Sequence, residues 1–241
     1  MLQLYNYGCK LFESWYNICR KRGDEGMNKS VYSLVLMDDV VEQIDRVAYE
    51  MNTSRSNMIN QILAEYVSYM TPEKRMREIF SAVEQQLTGD STFQVLLQPS
   101  DSMFSLRSAL AYKYNPTIRY SVELYRNMKP LLGELRVSLR SQNSTLLLYL
   151  LQFFKLWERM EASYLGQVEC TVEDGRYLRK LVLRGGADAG NEAVGEAIAA
   201  YIDLLDRALK TFFASLNDPQ QAVAQVRRLY ADYLHTHALL V

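Results

Sequence analysis

The sequence predicts an α+β protein: a short strand and two helices near the N-terminal end, a connecting helix, and a larger, mostly helical region carrying a small antiparallel sheet. Three observations predict it. Apolar residues alternate over Ser30–Leu36, recur at helical spacing over 38–89 and again beyond 143, and return to a period of two between 93 and 139, where turn residues punctuate the runs.

The 241 residues are 49% hydrophobic and 23% charged, with 11 Gly and 5 Pro, a balance that excludes disordered, collagen-like and disulfide-scaffold chains. Lys and Arg number 27 against 28 acids, a formal net charge of -1, so no global positive field draws the chain to nucleic acid or membrane. Any anion binding must be local. Cys9, Cys19 and Cys170, with two histidines, make neither a disulfide framework nor a zinc site, and a cytoplasmic location is the expectation. No window approaches the roughly 18 apolar residues of a membrane helix, the run Leu146–Leu151 being six, so no membrane partner is expected. Residues 1–26 lack a compact apolar core followed by a small-residue cleavage site and do not read as a secretion signal. The purine-rich codons of a Lys-Arg-Gly-Asp-Glu-Gly run can resemble a bacterial ribosome-binding site. Met27 is therefore a candidate start and 1–26 an extension, the alternative being an amphipathic helix packed on a later domain.

From Ser30, Tyr32, Leu34 and Leu36 alternate with Val31, Ser33 and Val35, which suits a strand with two unlike faces. Asp38 and Asp39 then open a helix to about Met51, where carboxylates favour the positive helix end, and Val40, Val41, Ile44, Val47, Ala48 and Met51 form its stripe. Asn52-Thr53 breaks it. Ser54 caps a second helix whose stripe is Met58, Ile59, Ile62, Leu63, Tyr66 and Val67, ending near Met70. One strand and two helices cannot bury an open strand edge and two apolar stripes in a single copy. The unit needs a partner, and two copies pairing their strands antiparallel would satisfy both edges.

The stretch SVYSLVLMDDVVEQIDRVAYEMNTSRSNMINQILAEYV resembles the ribbon-helix-helix repressors over Lys29 to about Met70, under a fifth of the chain. The order of strand, acidic turn, helix, Ser-Arg-Ser and helix carries the likeness. The resemblance implies a homodimer whose two-stranded ribbon enters the major groove of double-stranded DNA. Carried over, the outward residues are Val31, Ser33 and Val35, with Lys29 just ahead, and the second helix offers phosphate its first amides together with Ser54, Arg55 and Ser56. Family members usually carry Arg, Lys, Asn, Gln or Thr on the ribbon's outward face. Two valines and a serine can touch thymine methyls and make one hydrogen bond, so direct readout is expected to be thin. The module between Met27 and Met70 holds three basic residues and six acidic ones, a net charge of -3, and modest affinity for a polyanion follows.

The module spans 27–70 and a connecting helix 71–89, with a Thr71 cap, Pro72 in its first turn, a stripe of Met76, Ile79, Phe80 and Val83, and Gly89 as a stop. Residues 90–241 form the second domain. Runs at 93–97, 104–114, 118–124 and 135–139 predict a three- or four-stranded antiparallel meander. Opposite its apolar face lie Arg107, Lys113, Arg119, Arg136 and Arg140, with Glu123 the one acid among them, a candidate anion-binding surface whose plain alternative is a solvated sheet face. The C-terminal hundred residues read as helical: 144 to about 165 after Asn143 or Ser144, a helix over about 171–184, Gly190 to Leu216, and Pro219 to Leu239. Asp174-Gly175 offers a hairpin instead of the second of these.

Catalytic signals are sparse. There is no Gly-rich phosphate loop, nucleophile elbow or His-Glu-x-x-His, and no cofactor or metal is expected. His235 and His237 read as surface histidines, Glu158 and Glu161 as ordinary surface acids paired with Lys155 and Arg159, and Cys170 sits beside Glu169 and Glu173, which do not favour a thiolate. The expectation is a cytoplasmic, bacterial-style, homodimeric and sequence-specific DNA-binding regulator, repressor-like, whose C-terminal domain senses a small molecule or engages a protein. It is not expected to be an enzyme. The alternatives are an antitoxin and an interaction protein using the module only to dimerise.

Overall fold

The computed structural model describes residues 30–89, 92–97, 100–128, 131–173, 175–184, 189–237 and 241. Lys29, the 1–26 extension and Asp174 lie outside the described residues. The fold is α+β, and the chain divides into two compact units between Lys74 and Arg75.

In the first unit, α1 (Asp38–Glu50) opens with Asp38 and Asp39 in its first turn, and α2 (Arg55–Tyr66) is capped by Ser54, whose Oγ accepts from the Asn57 amide at 3.3 Å. Asn52, at φ 49°, turns the chain between them, a left-handed conformation that Asn tolerates. The second helix stops four residues short of Met70, because Ser68 takes φ 56°. Residues 30–36 form no strand within one chain, and among the described residues none of them makes a backbone–backbone hydrogen bond. Tyr32, Leu34 and Leu36 are exposed along with Val31 and Val35.

Helix α3 (Pro72–Thr88) begins with the Thr71 hydroxyl accepting from the Lys74 amide at 3.1 Å. From Arg75 onward it belongs to the second unit, where Met76, Ile79, Phe80, Val83 and Leu87 are core. There the strands β1 (Phe93–Val95), β2 (Met103–Ala109), β3 (Thr117–Leu124), β4 (Leu131–Leu139), β5 (Cys170–Glu173) and β6 (Arg176–Val182) make one antiparallel sheet in the order β1-β2-β3-β4-β6-β5. The expected meander is β1–β4. The expected helix over 171–184 is instead the β5–β6 hairpin, turned by Gly175 at φ 66°. Its inward positions are Tyr177, Arg179 and Leu181, and the charged residue in the middle interrupts the apolar alternation that marks a strand.

Helices α4 (Ser144–Leu165), α5 (Asn191–Ala214) and α6 (Pro219–Thr236) complete the unit. Asn143 caps α4 through the Leu146 amide at 3.2 Å, and Asp218 caps α6 through Gln221 at 3.0 Å. Tyr120, Val122, Leu135, Val137 and Tyr177 on one sheet face share a core with Phe153, Phe154 and Trp157 of α4 and with Leu205, Leu209 and Phe212 of α5. At the bulge in β4, an added Cβ on Gly133 would stand 2.0 Å from the Glu123 carbonyl oxygen, so the close strand approach requires glycine there.

Candidate nucleic-acid interface

In the first unit the resemblance-derived residues fall into two groups. Val31, Ser33 and Val35 lie on the 30–36 segment, which makes no backbone–backbone hydrogen bond among the described residues, and both valines are essentially fully exposed, at 99% and 102%. Ser54, Arg55 and Ser56 form the start of α2, exposed, with the amides of Arg55 and Ser56 ahead of the capped Asn57 amide. The Arg55 guanidinium itself is engaged: Nε and Nη2 grip the two Asp45 carboxylate oxygens at 2.6 and 2.5 Å. This hydrogen-bonded pair holds the Asp45 carboxyl below its ordinary range and raises Arg55. Arg46 is likewise paired, with Glu42 at 2.7 Å. The pairing of Arg55 across the α1–α2 junction was not visible in the sequence, because its partner is ten residues away.

The surface of this unit is apolar in addition to acidic. Only Ala48 and Met58 are buried between Ser30 and Met70, while Val40, Val47, Met51, Ile62 and Leu63 of the two predicted stripes remain exposed. The helices form as the sequence expects, but one copy does not cover them.

In the second unit the sheet face opposite the core carries Arg107, Arg119 and Arg136 on β2, β3 and β4. Lys113 stands in the β2–β3 connection beside the Tyr114 ring, and Arg140 follows β4, so those two are off the strands. The register defines rows. Gln94, Arg107, Arg119, Ser138, Arg176 and Glu173 face one another across six strands. One row along stand Ser105, Ser121 and Arg136, and a further row brings Glu123, Glu134 and Lys180 together.

Glu123 is therefore not the one acid on this face. Glu134, 5% exposed, binds Lys180 Nζ at 2.8 Å and Arg136 at 3.1 Å, and accepts from the Tyr125 hydroxyl at 3.1 Å. Burial and the neighbouring Glu134 raise the Glu123 carboxyl above its ordinary value.

The second unit also hides a charge pair that a sequence reading places at the surface. Glu161 is fully buried and meets Arg179 Nε at 3.0 Å, with the Tyr177 and Tyr201 hydroxyls donating to it at 2.7 and 2.9 Å. Arg179 Nη2 donates to the Val241 carbonyl at 2.8 Å. Burial works to lower the Arg179 pKa, and the oxygens of Tyr201 and Glu161 outweigh it and hold the guanidinium charged. The network is closed to solvent and joins α4, α5 and β6, which is a structural role. Glu158 pairs with Lys155 at 3.2 Å as a surface acid. Burial and then Glu158 push the Cys170 thiol up to about 11, away from nucleophilic use.

A cavity of about 610 Å³ lies beside β1 and α5, with Phe93, Glu196, Asp203 and His237 among its walls. Among the described residues no His, Cys, Asp and Glu cluster suits a metal ion, and no helix is long and apolar enough to cross a membrane. No family model matches the chain, and neither a curated protein nor a solved structure matches it.

Proposed function

We propose that the chain is a homodimeric, sequence-specific DNA-binding regulator of ribbon-helix-helix type, repressor-like and cytoplasmic, with no catalytic role. In this reading two 30–37 segments pair antiparallel, Tyr32, Leu34 and Leu36 cover the four helices, and Val31, Ser33 and Val35 face the major groove. The start of α2 meets phosphate through the Arg55 and Ser56 amides and the Ser54 and Ser56 hydroxyls.

The observation that carries the reading is the uncovered state of the first unit. An exposed segment, 30–36, that makes no backbone–backbone hydrogen bond among the described residues, next to two helices whose apolar stripes lie open, suits half of an intertwined dimer. A second copy supplies the missing strand and the missing cover together.

The test is a sedimentation measurement at micromolar protein combined with selection from pooled genomic DNA. A dimer that enriches a short inverted repeat is the expected result, and a folded monomer that enriches nothing overturns the proposal. A second reading, in which the module only dimerises, is favoured by a specific observation: the cations Arg46 and Arg55 are both neutralised by neighbouring acids. It predicts the same dimer with no selected sequence.

A further inference from the structure

We propose that the outer face of the second unit's sheet is a separate phosphate-contacting surface, whose ligand is the backbone of duplex DNA. The inference rests on the DNA-binding reading above, but on a different set of residues.

Three arginines stand in one transverse row. Arg107 and Arg119 are direct cross-strand partners, and Arg176 lies two strands further on, across Ser138. Like charges placed opposite each other on a sheet are destabilising, and among the described residues no carboxylate pairs with any of the three. Arg107 has only the Gln94 amide oxygen at 2.8 Å, and Arg119 only the Ser105 hydroxyl at 3.4 Å. The contrast with the far end of the same face is internal to the molecule. There Arg136 and Lys180 converge on Glu134 and are compensated. Glu173, at the row's edge opposite Arg176, makes no ion pair with it among the described residues, and Arg107 and Arg119 have no acid beside them in the row, so their counterion comes from outside the chain.

The row's chemistry and shape favour a duplex. With strands about 4.8 Å apart, Arg107 and Arg176 are about 14 Å apart at the backbone, which is about four phosphate steps along one DNA strand measured on its axis. The row is open and exposed at all three arginines and lies outside the cavity, so it suits an extended polyanion better than one small, hydrated anion. Ser138 and Ser121 add hydroxyl donors beside the guanidinium groups. No aromatic side chain stands in the row, so it offers no stacking platform for single strands. The first unit needs such help, because Arg46 and Arg55 of its two helices are tied to acids.

The experiment uses the full chain, binding a 30-base-pair duplex of random sequence by fluorescence anisotropy over a salt series. In Arg107→Gln/Arg119→Gln/Arg176→Gln the slope of log affinity against log salt should fall by about 0.9 for each phosphate no longer neutralised, about 2 to 3 per protomer. The urea midpoint should rise at the same time, because the like-charge repulsion is gone and the fold is intact. A wild-type slope in the triple variant overturns the inference, as does absence of any duplex binding by the wild type. Competition by polyglutamate equal to that by duplex would assign the row to an acidic protein and also overturns it. Failure of the groove reading is separable: a wild type that binds every duplex alike, with a slope that collapses in the triple variant, supports the sheet surface and refutes sequence reading by the ribbon.

Discussion

Between Ser30 and Met70 two side chains, Ala48 and Met58, are buried, whereas from Met76 to Val241 a continuous core links α3, the sheet and the three C-terminal helices. Both regions show well-formed, capped helices and similar apolar content. The difference is therefore in cover, not in propensity: the second unit folds its stripes against a sheet of its own, and the first leaves its stripes exposed in the single chain. Stability in the second unit is set by packing within the chain, and in the first it is expected to depend on protein concentration.

The largest effect tests the autonomy of the second unit. Arg179→Met leaves the Glu161 carboxylate buried without its counterion, and loss of one partner of such a pair costs about 3–5 kcal/mol. The expected result is a large drop in the urea midpoint of that unit, with most of the loss recovered in Arg179→Met/Glu161→Gln. Next in size is Leu34→Asp. On a monomer surface the change would be worth under about 0.5 kcal/mol, because Leu34 is exposed in the single chain. Under the proposed function the carboxylate enters the dimer core, so sedimentation should show monomers at concentrations where the wild type is dimeric, while the second unit's unfolding is unchanged.

Local signals were the most legible part of the fold. The caps at Ser54, Thr71 and Asn143, the acidic first turn at Asp38-Asp39 and the alternation of Ile118, Tyr120, Val122 and Leu124 all have short-range physical causes, and each appears in the structure. Asp174-Gly175 offers the β5–β6 hairpin as the alternative, and a helix is expected first because Tyr177 and Leu181 fit a period of 3.6 as well as one of 2, and the inward residue between them is an arginine. That arginine has a counterion only because Glu161 comes from another element, and neither residue looks buried when read alone. The same limit applies to the candidate interface. Which arginines share a row depends on strand register, and register placed Arg176 in the row of Arg119 while leaving Lys113 and Arg140 off the strands. In the proposed dimer the ribbon would be shared by two chains, so its pairing would have no expression in one.

A smaller effect contrasts the two ends of the outer sheet face. The Glu123 carboxyl is raised by burial and by Glu134, so folding disfavours its charged form relative to the unfolded chain. Its contribution to stability is greatest below the ordinary carboxylate value and is lost as pH rises through the raised one. At neutral pH the charged group is unfavourable, and Glu123→Gln should stabilise the second unit, by under about 1 kcal/mol because the site is screened by solvent. Thermal melts at pH 5 and pH 7.5 check it, the gain being larger at the higher pH.

The smallest effect on stability carries the sharpest information about the first unit. Asp45 has its carboxyl lowered chiefly by the hydrogen bond from Arg55, so the pair's contribution is complete above the ordinary value of 3.8 and fades only as pH falls through the lowered one. Between pH 7 and pH 5 the protection of amides at the α1–α2 junction should therefore stay constant, and it should weaken only in stronger acid. Asp45→Asn releases the guanidinium at neutral pH. If the start of α2 lies on phosphate, the freed Arg55 adds a cation there, and affinity should rise on all DNA sequences alike, with the salt slope steeper by about 0.9 for each phosphate newly neutralised. If the module only dimerises, the same variant leaves the slope unchanged and loosens the junction alone. The two regions would then differ in function as well as in cover, with the phosphate contacts confined to the sheet.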